Sequence, residues 1–281
     1  MIARVPASSA NLGPGFDTLA VALNRYVEVE VSEADEFAIA TTGFGAGRFD
    51  DEGHLGAKVV ASVLGHWRFA IRVHSEIPVS RGLGSSASLA LAAAAAAGAP
   101  DPLGIAVAID GHAENAAASW RGGLVAAGER DGTVAVASLA LDDVWRFVAV
   151  VPEVELATAD ARRVLPAQVP FADAVANLTA LGLLIAGLAD HRNFTPWSMS
   201  DRLHQPYRSA LLPIAEPLLG ALRLAGAHGA CWSGAGSTML GLATADAADA
   251  VAEGARRTLS EHGVAGTVSI LEADRIGAVV T

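Results

Sequence analysis

The sequence predicts an α+β protein built as two halves, an N-terminal one at 1–152 and a C-terminal one at 153–281, in preference to a single barrel. Three observations lead there. Short runs of alternating apolar residues, the period of a half-buried strand, are interspersed with helical spacings on both sides of Pro152. Pro152 follows three closely spaced strand-like runs and breaks the pattern. At 281 residues and 52 % hydrophobic content, the chain suffices for one large or two medium domains with a full-sized core.

In chain order, Ile2–Ala7 is a β-prone run that stops at Ser8–Asp17, where two glycines, a proline and an asparagine predict a loop of special backbone geometry. Val27, Val29 and Val31 alternate with Glu28 and Glu30, a strand with its carboxylates in solvent. Phe37–Thr41 reads as its antiparallel neighbour, and Gly43–Gly53 as a glycine-rich loop. Leu55, Val59, Val63 and Leu64 give His54–Trp67 a helical spacing, and Phe69, Ile71 and Val73 alternate as a strand. Pro78–Ala87 then opens an Ala-rich helix through Ala97, with Ser85 and Ser86 as its N-cap candidates. Asp101-Pro102 supplies a cap and a first-position proline for the next helix, which runs to Asp110–Asn115. Gly122–Ala127, Val134–Leu139 and Trp145–Val151 read as strands.

The second half alternates again. Thr158 caps Ala159–Val164, Asp173–Ala189 is a strongly apolar helix, and 190–201 is a polar connector. Pro213–Ala225 is helical, Ala230–Ser233 is a strand entering Gly234-Ala-Gly236, and Thr238–Ala243 is a strand. A helix at Asp246–His262 and a strand at Gly266–Glu272 close the pattern.

A net charge of −11 argues against nucleic acid or an anionic membrane as partner, but not against a small anion in a locally positive pocket. Cys231 is the sole cysteine, which rules out an intrachain disulfide and a cysteine-rich metal site. Met1-Ile-Ala-Arg-Val-Pro lacks the pattern of a secretory leader. The longest uncharged apolar run, Leu89–Pro100, is short of the roughly 20 residues that span a bilayer. A soluble cytoplasmic protein is the expectation, and the apolar helix at 173–189 leaves room for a homodimer.

The chemistry concentrates at Pro78-Val-Ser-Arg-Gly-Leu-Gly-Ser-Ser-Ala87. Gly82 and Gly84 permit positive-φ turns and close approach of backbone to a ligand. The helix start behind them offers unpaired N–H groups and about half a positive charge, a seat for phosphate. Lys58 is the only lysine, so this loop has none of its own. Backbone amides, the helix dipole and a metal would have to supply the positive charge.

Three segments, Pro6–Asp17, Pro78–Ser86 and Gly226–Thr238, together resemble the three ordered motifs of the GHMP small-molecule kinases. The first is similar to the branch of that family acting on L-homoserine. The resemblance implies an N-terminal ATP-binding half of ribosomal-S5-like form, a C-terminal ferredoxin-like half, and a site in the cleft between them. It implies ATP and Mg²⁺ as cofactors, with the phosphates held by Pro78, Arg81, Gly82, Leu83, Gly84, Ser85 and Ser86. Family members carry Glu-Gly-His-Pro-Asp-Asn after that loop, and here it reads Asp110-Gly-His-Ala-Glu-Asn115. The first acid, with Ser85, would hold the metal; Asp110 is one methylene shorter than the usual glutamate and Glu114 one longer than the usual aspartate. Ser237 stands where the family usually has proline.

On the substrate side the resemblance implies Arg162 and Arg208 at the carboxylate, which suits the planar arginine fork. Asp17 and Glu114 are the candidates for the ammonium, Asn11 and Asp17 for holding the attacking hydroxyl, and His112, Asn115 and Gly234 for further substrate contacts. No histidine–serine or paired-acid arrangement marks a strong general base, so phosphoryl transfer would rest on positioning and charge neutralisation. Two alternatives stay open on sequence: a kinase of another small hydroxy acid such as shikimate or mevalonate, and a non-catalytic metabolite-binding homologue.

Overall fold

The computed structural model describes residues 1–48 and 50–281; Phe49, within the expected 43–53 loop, lies outside the described residues. β1 (Ile2–Asn11) and β2 (Gly15–Glu33) pair as one long antiparallel hairpin. Most of the loop expected at 8–17 is therefore strand, and the turn is confined to Leu12–Pro14. Burial is the reason. Every residue from Val5 to Leu12 is buried, and buried backbone must be paired, here in a ladder.

β3 (Ala38–Gly43) is parallel to β4 (Phe69–Ser75), not antiparallel to the 26–31 segment as expected. β4 takes that edge of β2 instead, and α1 (Leu55–Leu64) crosses over between β3 and β4. Phe37, Trp67 and Phe69 pack together, with Phe37 edge-on to the other two rings at 5.1 and 5.4 Å. α2 (Ser85–Ala96) is apolar all round and buried almost throughout, as such a helix must be. It lies on β1 and β2, flanked by α1, by α3 (Pro102–Asp110) and by α4 (Ala113–Arg121). α3 starts as expected, with the Asp101 side chain accepting from Gly104 N and Pro102 in its first turn.

β5 (Leu124–Arg130) adds to β2 at Leu19–Val21 and carries β6 (Thr133–Leu139) on its other edge. Then follow β7 (Trp145–Pro152), α5 (Thr158–Arg163), α6 (Phe171–Ala189), α7 (Gln205–Arg208) and α8 (Ala215–Leu224). The chain ends with β8 (Gly229–Trp232), β9 (Met239–Thr244), α9 (Ala248–Glu261), β10 (Gly266–Leu271) and β11 (Val279–Val280). α5 is preceded by Ala157 as its cap, without the side-chain bond expected from Thr158.

Two sheets result among the described residues. The first runs β11-β1-β2-β4-β3 with β5 and β6 branching from β2; the second is antiparallel in the order β10-β7-β9-β8. With α8 and α9 packed on it, the second is the β-α-β-β-α-β arrangement of a ferredoxin-like half. The sheets do not divide at Pro152. β7, ending there, is an inner strand of the second sheet, and β11 returns to the edge of the first beside Ala3 and Arg4.

α6 is the longest helix described, 19 residues with a mean hydropathy of 1.7 over its apolar window; by length and composition alone it is long and apolar enough to cross a membrane. In the fold Leu184 and Leu188 enter the core, whereas Phe171, Val175 and Leu178 are exposed. Asn177 ties it to the β1–β2 turn, donating to Pro14 O at 2.8 Å.

Candidate active site

The start of α2 forms one wall of a cavity of about 150 Å³ between the two sheets. Gly84, not Ser85 or Ser86, occupies the cap position, at φ +68° and with no side-chain cap bond. The two serines are the first helical residues, so their own N–H groups are among the helix's unpaired donors. The glycines serve a purpose the sequence did not reveal. A Cβ on Gly82 would lie 2.2 Å from Ser233 O, and one on Gly84 2.2 Å from Ser8 Oγ. Their bareness lets the three motif segments press against each other, while both glycines also line the cavity.

Backbone bonds join the same segments: Ser8 N to Leu83 O at 3.2 Å, Thr238 N to Arg81 O at 3.1 Å and Gly234 N to Ala10 O at 3.0 Å. Buried hydroxyls complete the seam. Ser233 Oγ donates to Gly82 O at 2.6 Å and lies 2.8 Å from Ser9 Oγ. Ser119 Oγ donates to Ser8 Oγ at 3.1 Å, and Ser8 Oγ to Asn115 Oδ1 at 3.0 Å. Ser237, where proline was expected, is buried and donates to Val154 O, so a side-chain bond restrains that loop.

Of the expected site residues, Asn11, Asp17, Gly82, Gly84, Ser85, Ser86, Asp110, His112, Glu114, Asn115, Arg162, Arg208 and Gly234 line this cavity. Pro78, Arg81 and Leu83 do not. Leu83 is core, 3 % exposed, and Pro78 and Arg81 face a neighbouring groove where Arg81 Nη1 lies 3.7 Å from Glu155.

Asn11 has φ +72° and a committed side chain: Nδ2 donates to Gly234 O at 2.8 Å, and Oδ1 accepts from Asp17 N at 3.0 Å. It shapes the loop that presents Asp17. The Asp17 carboxylate faces Arg162, at 2.6 Å from Nη2, with both side chains about one-third exposed. Arg162 Nε is buried and has no hydrogen-bond partner among the described residues. Arg208 is 2 % exposed and donates from Nε to Ala161 O at 3.1 Å and from Nη1 to Gly234 O at 3.0 Å. Burial, and then the charge of Arg162, bring its guanidinium down to about 10.

Asp110 ends α3, Gly111 turns in the left-handed region at φ +75°, and His112 precedes α4. The sequence merged this second helix with the first, because Glu114, Asn115, Ser119 and Arg121 break up its apolar face and leave only Ala113 and Ala116–Ala118 as buried apolar positions. Glu114 sits in the first turn of α4, 4 % exposed. Burial raises its carboxyl to about 7, and the nearby charges of Asp17 and Asp110 push the same way. Burial likewise raises Asp110. The half-buried Asp110, the buried Glu114 and the Ser85 hydroxyl line the same cavity, an oxygen donor set of the kind Mg²⁺ takes.

A second, mostly apolar cavity of about 250 Å³ adjoins the first and shares Ser80, Ser85 and Ser86 with it. Val27, Phe44, His54, Leu55, Val79 and Leu89 line it. None of these was assigned to a binding site from sequence. Val27 lies on β2, Phe44 follows β3, Val79 follows β4, His54 caps α1, and Leu55 and Leu89 lie on α1 and α2, so only the fold gathers them.

A model of the N-terminal domain of GHMP kinases matches residues 55–123, and one of their C-terminal domain matches 175–261. Fold and motifs together define a GHMP kinase, an ATP-dependent small-molecule kinase. The chain is 35 % identical to a homoserine kinase of Desulfitobacterium hafniense over 99 % of this chain and 98 % of that one. It is 38 % identical to a homoserine kinase of Corynebacterium glutamicum over 95 % and 94 %. The crystal structure of homoserine kinase from Cytophaga hutchinsonii superposes with a TM-score of 0.86 at 28 % identity, covering 100 % of this chain and 97 % of that one. The chain belongs to the homoserine kinase family.

Proposed function

We propose that the protein transfers the γ-phosphoryl group of ATP to the side-chain hydroxyl of L-homoserine, giving O-phospho-L-homoserine and ADP, a step toward threonine. The observation that carries this reading is one cavity with two unlike walls. The α2 start offers backbone donors for phosphate, and the opposite wall sets Asp17, Arg162 and Arg208 where a zwitterion would lie.

In this reading the adenine occupies the apolar cavity beside Ser85 and Ser86, and the triphosphate runs along the α2 start into the polar one. Asp110 and Ser85 hold Mg²⁺, which when bound neutralises triphosphate charge. Arg162, with its unpartnered buried Nε, and Arg208 take the homoserine carboxylate; Asp17 takes the ammonium. Glu114 accepts the hydroxyl proton. Its carboxyl is poised near neutrality, where a base combines availability with driving force. The N–H groups at the α2 start stabilise charge on the transferring group.

The test is ADP release by the purified protein with Mg·ATP and a panel of L-homoserine, L-serine, shikimate and mevalonate. Turnover with homoserine well above the others is expected. ATP binding without turnover of any alcohol would sink the reading.

A further inference from the structure

We infer that His204 is a positioning residue for substrate binding, holding the Arg208 guanidinium at the cavity as a neutral imidazole that accepts from it. The inference rests on the homoserine kinase reading for the meaning of Arg208, but the seat of Arg208 is a matter of geometry.

His204 is 0 % exposed and precedes α7, one helical turn before Arg208. Its Nε2 lies 2.9 Å from Gly13 O, and its Nδ1 lies 3.0 Å from Arg208 Nη1. A backbone carbonyl only accepts, so Nε2 carries the proton; guanidinium only donates, so Nδ1 is bare. The two bonds thus require one tautomer. The ring stacks on Phe16 at 4.9 Å and 20°, which fixes its plane. Asp201 fixes its backbone, accepting from His204 N at 3.1 Å and Gln205 N at 2.6 Å. His204 therefore joins the β1–β2 turn to the arginine, across 191 residues of chain. Arg208 has two other anchors, Ala161 O and Gly234 O, both on backbone. His204 is the side chain among them, and the one whose loss leaves a buried guanidinium N–H with one acceptor fewer.

The charged groups facing the ring are Asp201 beside it, Arg208 on α7 and Asp17 on β2. Burial, the largest influence, holds the imidazole down at about 4, so it stays neutral through the physiological range. Proton transfer by His204 is not part of the proposal.

Two replacements separate positioning from mere filling. His204→Asn keeps an acceptor near the place of Nδ1; His204→Gln keeps reach to Gly13 O but gives up the acceptor for Arg208. The Gln variant is expected to raise the homoserine KM about tenfold or more, the size of a lost bond to a charged group. Its kcat and its KM for ATP stay within about threefold, and the Asn variant holds the homoserine KM within about threefold of the parent. For 3-aminopropan-1-ol, which lacks the carboxylate, parent and Gln variant should have equal kcat/KM. Equal KM increases in both variants, or an equal loss on the carboxylate-free alcohol, overturn the proposal. A measurement on the unmodified protein needs no substrate and no variant. The ¹⁵N spectrum of the imidazole in contact with Phe16 should report the Nε2–H tautomer at pH 7, and an Nδ1–H tautomer or an imidazolium overturns the proposal. If the unmodified protein fails to phosphorylate homoserine, the functional reading falls, and the tautomer measurement still decides the seat of Arg208.

Discussion

The two walls of the central cavity are built from opposite materials. On the α2 side, Gly82, Gly84, Ser85, Ser86 and Gly236 present backbone, with no ionisable side chain between Gly82 and Ser86. On the other side stand Asp17, Asp110, Glu114, Arg162 and Arg208. Backbone dipoles cannot titrate and are fixed by the fold, whereas each buried charge is penalised by desolvation and depends on its neighbours. Substitution on the first wall should therefore register as lost stability. On the second it should register as changed kinetics and a changed pH response.

The largest effect is expected at the charged wall. Glu114→Gln preserves shape and removes the proton acceptor, so kcat should fall by about 10²- to 10⁴-fold with the KM for ATP little changed. A kcat within tenfold of the parent would show that the hydroxyl loses its proton elsewhere. The backbone wall comes next. Gly84→Ala puts a Cβ 2.2 Å from Ser8 Oγ at a residue with φ +68°, so both a clash and backbone strain must be relieved. A loss of about 2–4 kcal/mol, seen as a drop of several degrees in Tm, is expected from the sum of the two. A stable Gly84→Ala protein with weakened ATP binding alone would mean the glycine serves the ligand and not the seam.

The third effect is a pH dependence of stability in the ligand-free protein. The Glu114 carboxyl is raised by folding from 4.5 to about 7, so between those values the folded state binds the proton more tightly than the unfolded chain. Stability from this group is then full below pH 4.5 and falls as pH rises, levelling off above about 7, by up to about 3 kcal/mol. Glu114→Gln should flatten that slope, and urea titrations of both proteins at pH 5 and pH 8 would measure it. An unchanged slope would remove Glu114 as its source. The smallest effect is at Arg162, whose side chain is one-third exposed. Arg162→Ala should raise the homoserine KM by about tenfold, with little change in Tm because the pair with Asp17 is partly in solvent.

Much of the first wall was legible in the sequence, because it rests on local preferences. The glycine turn at 82–84, the Ala-rich run behind it and the Asp101-Pro102 start are visible within 82–102. The 8–17 stretch misled for a physical reason. Serines and an asparagine read as loop, but Ser8 and Ser9 are buried strand residues whose hydroxyls are met by Ser119, Asn115 and Ser233. Those partners are more than 100 residues away. The charged wall was legible as a set of residues but not as an arrangement. No spacing announces that Asp17 and Arg162 pair with each other, that Asn11 braces a loop, or that Glu114 is buried enough to titrate near neutrality. Parallel pairing of β3 was likewise hidden, since β4 competes for the same edge of β2 with a better alternating face.

The ion pair between Asp17 and Arg162 has a consequence for how the cleft responds to salt. A zwitterion entering here meets a contact already closed at 2.6 Å, and its two charges take the places that Asp17 and Arg162 now fill for each other. Binding is then an exchange of partners that leaves the net charge of the cleft unchanged, because the incoming molecule is neutral overall. Screening weakens the old pair and the new ones alike, so homoserine affinity should change little between low and physiological ionic strength.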